Sequence, residues 1–544
     1  MSKFTNFFFV IVLIIGFFVR FFNLSSVPPS LNWDEVSFGY NAYSILETGR
    51  DEFGRKWPLY FQSLGDNKLP VYMYLTVISI KFFGFTDFAV RFPSALLGFL
   101  LIILVYLLAI ELFKKKSIAL FSALTIAILP WNIQFSRMAT EANVGLFFLV
   151  FGILTFIWSF RKNALFLTLS SLSFSMTLYT YLSFRVITPL VIIVLVLCYL
   201  KEVKHIFFTK KLTLAISILI FLLFAAYVAR DMAKTGHVRF TGTSIFNIPD
   251  AYTHNDKQMM YDATLGINLT RRLLHDSKLV THFEQVSRGY LTHFSPDFLF
   301  FDLGQKHHHA PRVGLIYLWM IIFLIAGFYA LLKRKDKNSF LVLALLLLSP
   351  LPPAVTWDIP HAIRSITMTI PISLMTGIGI YAFLSLFFKK RLIFYVLVPV
   401  FSFLVLANFG YFLHQYFIHM PHERSDKWIW GYKEAVEFTE ANKNSFRKIV
   451  VSTNLEWPHI FFLYYSAHDP KQYLLEGGTV SGYYNEQNNS YDKYEFRKFG
   501  FKSEAVNEGF LFVGNPKEFP DSVKPIKVIN YKNGEPAIYI VESF

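Results

Sequence analysis

Apolar runs near twenty residues long succeed one another along most of this chain, separated by short polar or basic connections. That length is what a helix needs to cross the hydrocarbon core of a bilayer, roughly 20 residues at 1.5 Å each. The runs fall at 5–24, 92–113, 117–131, 142–160, 164–181, 186–200, 212–229, 312–332, 339–353, 366–388 and 392–413, so about eleven transmembrane helices are expected. The third and ninth runs are short.

The polar connections give these spans an orientation. Lys3, Lys114 to Lys116, Arg161 with Lys162, Lys201 through Lys211, Lys333 through Lys337 and Lys389 through Arg391 all fall on one side if every run crosses. Basic residues mark the cytoplasmic face, so the N-terminus is expected there. The short loops opposite carry one arginine each: Arg137, Arg185 and Arg364. The outer loops 25–91 and 230–311, and the stretch from about 414 to 544, are then extracytoplasmic. The first run is broken by Arg20 and lacks a small-residue cleavage pattern, so it reads as an uncleaved first helix.

After about residue 413 the pattern changes. Gly431 to Ala441 has helical spacing, Lys448 to Ser452, Phe510 to Val513 and Ala537 to Val541 look like strands, and Ile460 to Tyr465 suits either. The expected architecture is an α-helical polytopic membrane module over 1–413 with a small soluble α/β extracytoplasmic domain over 414–544.

Composition sharpens this picture. The chain is 54% hydrophobic and only 16% charged, against about 25% charged in soluble domains. The net charge of +15 is gathered in the inter-span clusters, which makes it a topology signal and argues against nucleic-acid binding. The single cysteine, Cys198, rules out an intramolecular disulfide, and the missing cysteine framework leans toward a prokaryotic plasma membrane.

Candidate chemistry begins just past the first span. Asp34 and Glu35 open a segment of helical spacing that suits the membrane interface. Paired carboxylates there can act as a general base toward a hydroxyl and as an orienting or cation-holding group; the plainer role is capping a helix start. Lys68, before Leu69-Pro70, reads as a phosphate-binding cation or as a lysine snorkelling to the interface. Arg137, Arg185 and Arg364 are functional candidates because cations at membrane depth are costly, or else they anchor helix ends. Glu141 opens the fourth span, where an acid also suits a helix N-terminus. His307-His308-His309 lacks the spacing that lets metal ligands converge and reads as a polar loop. Trp33, Trp57, Trp131 and Trp357 read as an interfacial belt or as sugar-stacking rings.

Several of these residues combine into a family resemblance. Trp33-Asp34-Glu35, Leu46-Glu47-Thr48-Gly49, Lys68-Leu69-Pro70-Val71-Tyr72, Lys81-Phe82-Phe83-Gly84 and Ala89-Val90-Arg91-Phe92-Pro93-Ser94-Ala95 follow one another in the order and spacing of a known first loop. That loop belongs to the protein O-mannosyltransferase and aminoarabinose transferase superfamily, which the segment resembles. Phe135-Ser136-Arg137-Met138-Ala139-Thr140-Glu141, Tyr179-Thr180-Tyr181 through Arg185 and Pro189, and Pro360-His361-Ala362-Ile363-Arg364-Ser365 are similar to later elements. The resemblance covers residues 1 to about 413. Leu69 stands where relatives carry a proline, and His361-Ala362-Ile363 precedes Arg364 where relatives often read Pro-Arg-Tyr.

The resemblance implies a GT-C fold and inverting transfer of a sugar from a polyprenyl-phosphate donor to a lipid, protein or glycan acceptor at the extracytoplasmic face. On that basis Asp34 is expected to take the acceptor proton. Lys68, Arg137, Arg185 and Arg364 are expected at the donor phosphate, and Glu35 and Glu141 at the acceptor or a cation. No cofactor is firmly implied; a divalent cation is left open. A lipid-linked polymer ligase and a lipid or sugar transporter or flippase are the alternatives. The absence of inverted repeats and of mid-membrane carboxylates weighs against transport.

Overall fold

The computed structural model describes residues 2–63, 65–247, 253–267, 269, 274, 278–301, 305–387, 391–481, 489–506 and 508–543. Lys389 and Lys390 of the last basic cluster lie outside the described residues.

The chain is dominated by helices at the places where the apolar runs lie. In the first half these are α1 (Ser2–Phe21), α2 (Trp33–Thr48), α3 (Pro70–Phe83), α4 (Asp87–Phe113), α5 (Lys116–Ile128), α6 (Pro130–Arg137), α7 (Glu141–Arg161), α8 (Phe166–Thr177), α9 (Leu182–Cys198), α10 (Leu200–Thr209) and α11 (Lys211–Thr243). A two-stranded hairpin, β1 (Phe61–Ser63) with β2 (Asp66–Lys68), precedes α3 and pairs Phe61 with Lys68. Next come α12 (Thr253–Thr264), α13 (Lys278–Thr292), α14 (Met320–Arg334), α15 (Lys337–Leu348), α16 (Thr369–Phe387) and α17 (Arg391–His414). Every predicted run coincides with a helix. Among the described residues six helices are long and apolar enough to cross a membrane, or eight when two bent pairs each count as one. The runs at 164–181 and 312–332 form shorter helices, of 12 and 15 residues. α11 continues well past the predicted end of its span, so the loop expected at 230–311 begins as helix.

The last segment alternates short helices and strands. α18 (Tyr432–Asn442), α19 (Pro458–Tyr465) and α20 (Pro470–Leu475) accompany β3 (Lys448–Val451), β4 (Asn489–Tyr491), β5 (Tyr494–Phe496), β6 (Phe510–Gly514), β7 (Lys527–Asn530) and β8 (Pro536–Glu542). The six strands form one sheet ordered β4-β5-β3-β6-β8-β7. β3 runs parallel to both neighbours, and the outer pairs are antiparallel. Val450, Phe512 and Val541 pack with Phe501 and Phe519 to form a buried core. The ambiguous run at 460–465 is helix.

Two compact units emerge. One contains residues 1–18, 98–134 and 142–409; the other contains 19–97, 135–141 and 410–544. The second joins the first outer loop to the α/β segment. α2 and α19 touch closely: a Cβ on Gly39 would overlap the Tyr464 ring, and the Tyr464 hydroxyl donates to Asp87 Oδ1 at 3.0 Å.

Candidate active site

α2 begins with a reciprocal cap. Asn32 accepts from the Glu35 backbone N–H, and Glu35 accepts from the Asn32 N–H, each at 3.0 Å. This satisfies two of the donors a helix start leaves open. The cap sets the directions of the paired carboxylates, and they part. Glu35 is fully buried, whereas the side chain of Asp34 is 49% exposed.

Glu35 has both oxygens engaged. Arg91 grips it through Nε at 2.9 Å and Nη2 at 3.1 Å, and the Ala139 N–H donates to it at 2.8 Å. Arg91, itself fully buried, also donates to the carbonyls of Leu24, Pro28 and Ser30 at 3.0, 2.9 and 2.6 Å. Such a forked, charge-assisted pair is strongly directional. It ties the α2 start to α4, to the chain leaving α1 and to the 135–141 segment. Glu35 was expected at the acceptor or a cation; its oxygens are instead taken by Arg91 and two backbone amides.

Arg137 was expected at the donor phosphate, but the structure puts it among backbone carbonyls. Its guanidinium donates to Val19, Phe22 and Val27 at 2.8, 2.8 and 2.7 Å, and to Asn23 at 3.3 Å. It also lies against the rings of Tyr416 and Phe417. A cation at the last carbonyls of a helix is a C-terminal cap, and here it closes α1.

Asp34 and Lys68 form the opposite case. Lys68 Nζ stands 2.7 Å from Asp34 Oδ1 and donates to Ser63 Oγ at 3.0 Å. Ser63 is hydrogen-bonded to Ser37 at 2.6 Å, and the Phe38 ring lies 5.0 Å from the ammonium. The hairpin β1–β2 therefore delivers Lys68 from its last residue to the first turn of α2. An ammonium has three donors, and these two partners use two. Glu141 supports the same strand end by accepting from the Leu69 N–H at 3.2 Å.

The structure thus gathers Asp34, Glu35, Lys68, Arg137 and Glu141 in one unit, and Arg185 and Arg364 belong to the other. Arg185 Nε donates to the Leu178 carbonyl at 3.1 Å, and Arg364 Nη1 to Thr356 Oγ1 at 2.7 Å. The histidine tract packs inward: His308 and His309 are buried, and the His308 ring lies 5.1 Å from that of His361. Burial pushes His308 and His361 well below the usual imidazole range. Among the described residues no three His, Cys, Asp or Glu side chains are grouped as a metal ion needs. Trp131 is fully buried, whereas Trp57 and Trp357 are exposed.

Sequence reasoning named Arg91 only as part of a motif; a charge within an apolar stretch was the available signal. It missed Glu52 and His459 altogether. Both are buried. Glu52 accepts from Asn41 and from Thr479, each at 2.8 Å, with His459 Nε2 at 3.8 Å. That cluster binds the first loop to the α/β segment across more than four hundred residues of sequence, which no local pattern reveals.

Comparison with known proteins agrees with this architecture. Residues 67–229 match the family described as dolichyl-phosphate-mannose-protein mannosyltransferase. The fold is similar to that of ArnT from Cupriavidus metallidurans, solved bound to undecaprenyl phosphate, with a TM-score of 0.55 and 12% identity over 98% of this chain and 97% of that one. It is also similar to the archaeal oligosaccharyltransferase AglB from Archaeoglobus fulgidus, solved with an inhibitory peptide and a dolichol-phosphate, with a TM-score of 0.49 and 13% identity over 86% of this chain. The chain spans 64% of that protein's length. No curated protein matches the sequence. The expected fold class holds: this is a GT-C fold in a multi-pass membrane protein, with a small sheet at its C-terminal end.

Proposed function

We propose that this chain is an inverting membrane glycosyltransferase that moves a sugar from a polyprenyl-phosphate donor to an acceptor hydroxyl at the extracytoplasmic face of a plasma membrane. The observation that carries the reading is the Asp34–Lys68 pair, 2.7 Å apart, with a half-exposed carboxylate beside a buried cation. The family match and the fold support the donor class, and the one-sided basic clusters support an N-terminus in the cytoplasm.

In this mechanism Asp34 takes the acceptor proton while the acceptor oxygen forms its bond to the anomeric carbon from the face opposite the phosphate. The bond from that carbon to the phosphate oxygen breaks, and the lipid phosphate leaves with the electron pair. The remaining N–H of Lys68 donates to the departing phosphate. A preorganised donor of this kind is worth roughly 3–4 kcal/mol in the transition state. Glu35, Arg91, Arg137 and Glu141 act by positioning: they fix the start of α2 and the strand end that carries Lys68. A rigid frame of this sort is what precise catalytic geometry requires.

The test uses the full chain in membranes with labelled polyprenyl-phosphate sugars, following which label moves and to what acceptor. Asp34→Asn is expected to lower turnover by roughly 10²–10⁴, the usual contribution of a general base, and also to lower the unfolding temperature, since it leaves the buried Lys68 without its counter-ion. Near-wild-type turnover would refute the assignment. In the same assay Arg185→Ala and Arg364→Ala separate a donor-binding role, which raises KM for the lipid sugar, from a structural one, which lowers the unfolding temperature.

A further inference from the structure

Lys162 and the helix α10 belong to no part of the mechanism above, yet they frame a built cavity. α9 and α10 meet at an angle of 85°. Along α10, Lys201, Lys204 and His205 are exposed, Phe207 and Phe208 are exposed as well, and Ile206 is buried; the exposed Lys210 follows the helix end. A short basic helix with exposed rings, set across an apolar helix, has the composition that suits the interface plane of a bilayer.

Beside it, within the unit containing α7 to α11, is a cavity of about 360 Å³ lined by Phe156, Phe174, Val196, Leu214 and Phe221 among other apolar side chains. Its hydroxyls come from Ser170, Ser171 and Ser217. Each already donates to a backbone carbonyl, those of Gly152, Ser217 and Thr213. The cavity therefore has hydrocarbon walls with their polar groups satisfied, and a polar ligand would gain nothing there.

A second cavity of about 450 Å³ shares Phe160 and Ile206 with the first. Its lining includes Lys162, Lys201, His205, Lys210 and Glu202. Glu202 is paired with Lys337, and Lys162 also stands 3.6 Å over the Trp158 ring. The mouth is thus strongly basic at the place where it meets the apolar pocket. These lysines fall in the clusters that mark the face opposite the proposed reaction.

We propose that the two cavities together bind an anionic phospholipid, with one acyl chain in the apolar cavity and its phosphate among Lys162, Lys201 and Lys210. The inference is independent of the catalytic reading. The detergent-purified full chain is titrated with phosphatidylglycerol and with phosphatidylcholine of the same acyl chains, and bound lipid is counted by native mass spectrometry. Phosphatidylglycerol is expected to bind on the order of 10-fold more tightly or better, given three basic side chains at the phosphate. The triple variant Lys162→Gln, Lys201→Gln, Lys210→Gln loses that preference while keeping phosphatidylcholine binding, and the triple Lys→Arg variant retains it. The three side chains are exposed, so the fold survives their replacement. Val196→Trp, which fills the apolar cavity, weakens both lipids about 10-fold, the result expected when an acyl chain is displaced. Equal affinity for the two lipids, or a preference that survives the glutamine variant, overturns the proposal. So does undecaprenyl phosphate binding more tightly than phosphatidylglycerol and being lost in the same variants, which would give the cavity to the donor lipid.

Discussion

The unit that carries Asp34 and the unit that carries α14 and α16 are held together by different physics. In the first, buried ions are locked by hydrogen bonds: Glu35 by Arg91 and two amides, Arg137 by four carbonyls, and Glu52 by Asn41 and Thr479. In the second, helices meet through the absence of side chains. α14 and α16 approach so closely that a Cβ on Gly379 would overlap the Phe323 carbonyl. The hydroxyls of Ser373 and Thr376 on α16 return to their own helix at 2.7 and 2.8 Å. Lipid tails are as apolar as leucine, so burial from lipid gives little drive and close backbone contact must hold such helices. A candidate catalytic centre has another requirement, since its charges need fixed directions.

The sharpest way to break this contrast is to remove one ion. Arg91→Ala leaves Glu35 buried and unpaired and is expected to destabilise the chain by about 3–5 kcal/mol. Thermal unfolding followed by size-exclusion in detergent reads the loss, and Arg91→Lys, which keeps the charge without the fork, should fall between it and the unaltered chain. Next in size is a buried polar corner of the unit that carries α14 and α16. His293 Nδ1 lies 2.7 Å from the Gly289 carbonyl, and its Nε2 accepts from the His361 N–H at 3.1 Å. Burial pushes it down to about 4, against a normal value of 6.5, with the charge of Arg364 also lowering it. The unfolded chain takes up this proton below about 6.5 and the folded chain resists it. The neutral ring's contribution is therefore complete above that pH and fades as pH falls toward 4, by about 3 kcal/mol in all. Unfolding temperature measured between pH 7.5 and 4.5 should drop, and the drop should shrink in His293→Gln. Gly379→Ala is expected to cost about 1–3 kcal/mol by overpacking the α14–α16 contact, with no change in KM for the donor. Of similar size is Ser63→Ala, which removes a hydrogen-bond partner of the charged Lys68 and costs about 1.5–3 kcal/mol; it should lower turnover more than it lowers unfolding temperature.

Much of the membrane architecture was legible because its signal is local. A run of apolar residues near the bilayer's thickness forms a helix wherever it sits, and each predicted run coincides with one. In the final segment the strands at Lys448–Val451, Phe510–Gly514 and Pro536–Glu542 were visible as short apolar bursts. β4, β5 and β7 were not, since Asn489–Tyr491, Tyr494–Phe496 and Lys527–Asn530 are short and mixed, and they owe their conformation to the strands beside them. Asp34 and Lys68, both singled out in the sequence, form an ion pair at 2.7 Å. What no pattern separated was the fate of two adjacent carboxylates: Asp34 and Glu35 differ by one position on a helix, and the helical turn sends one outward and the other to Arg91.

By itself, the order of residues determined a chain of apolar helices and the types of residue gathered in the loop that follows the first of them. Those properties depend on transfer from water to lipid, which each segment experiences on its own. Folding in three dimensions decided which charges stay available and which become braces. That outcome depends on backbone carbonyls and amides brought from distant parts of the chain, such as those of Val19, Ser30 and Ala139. A buried ion persists only where such partners converge on it.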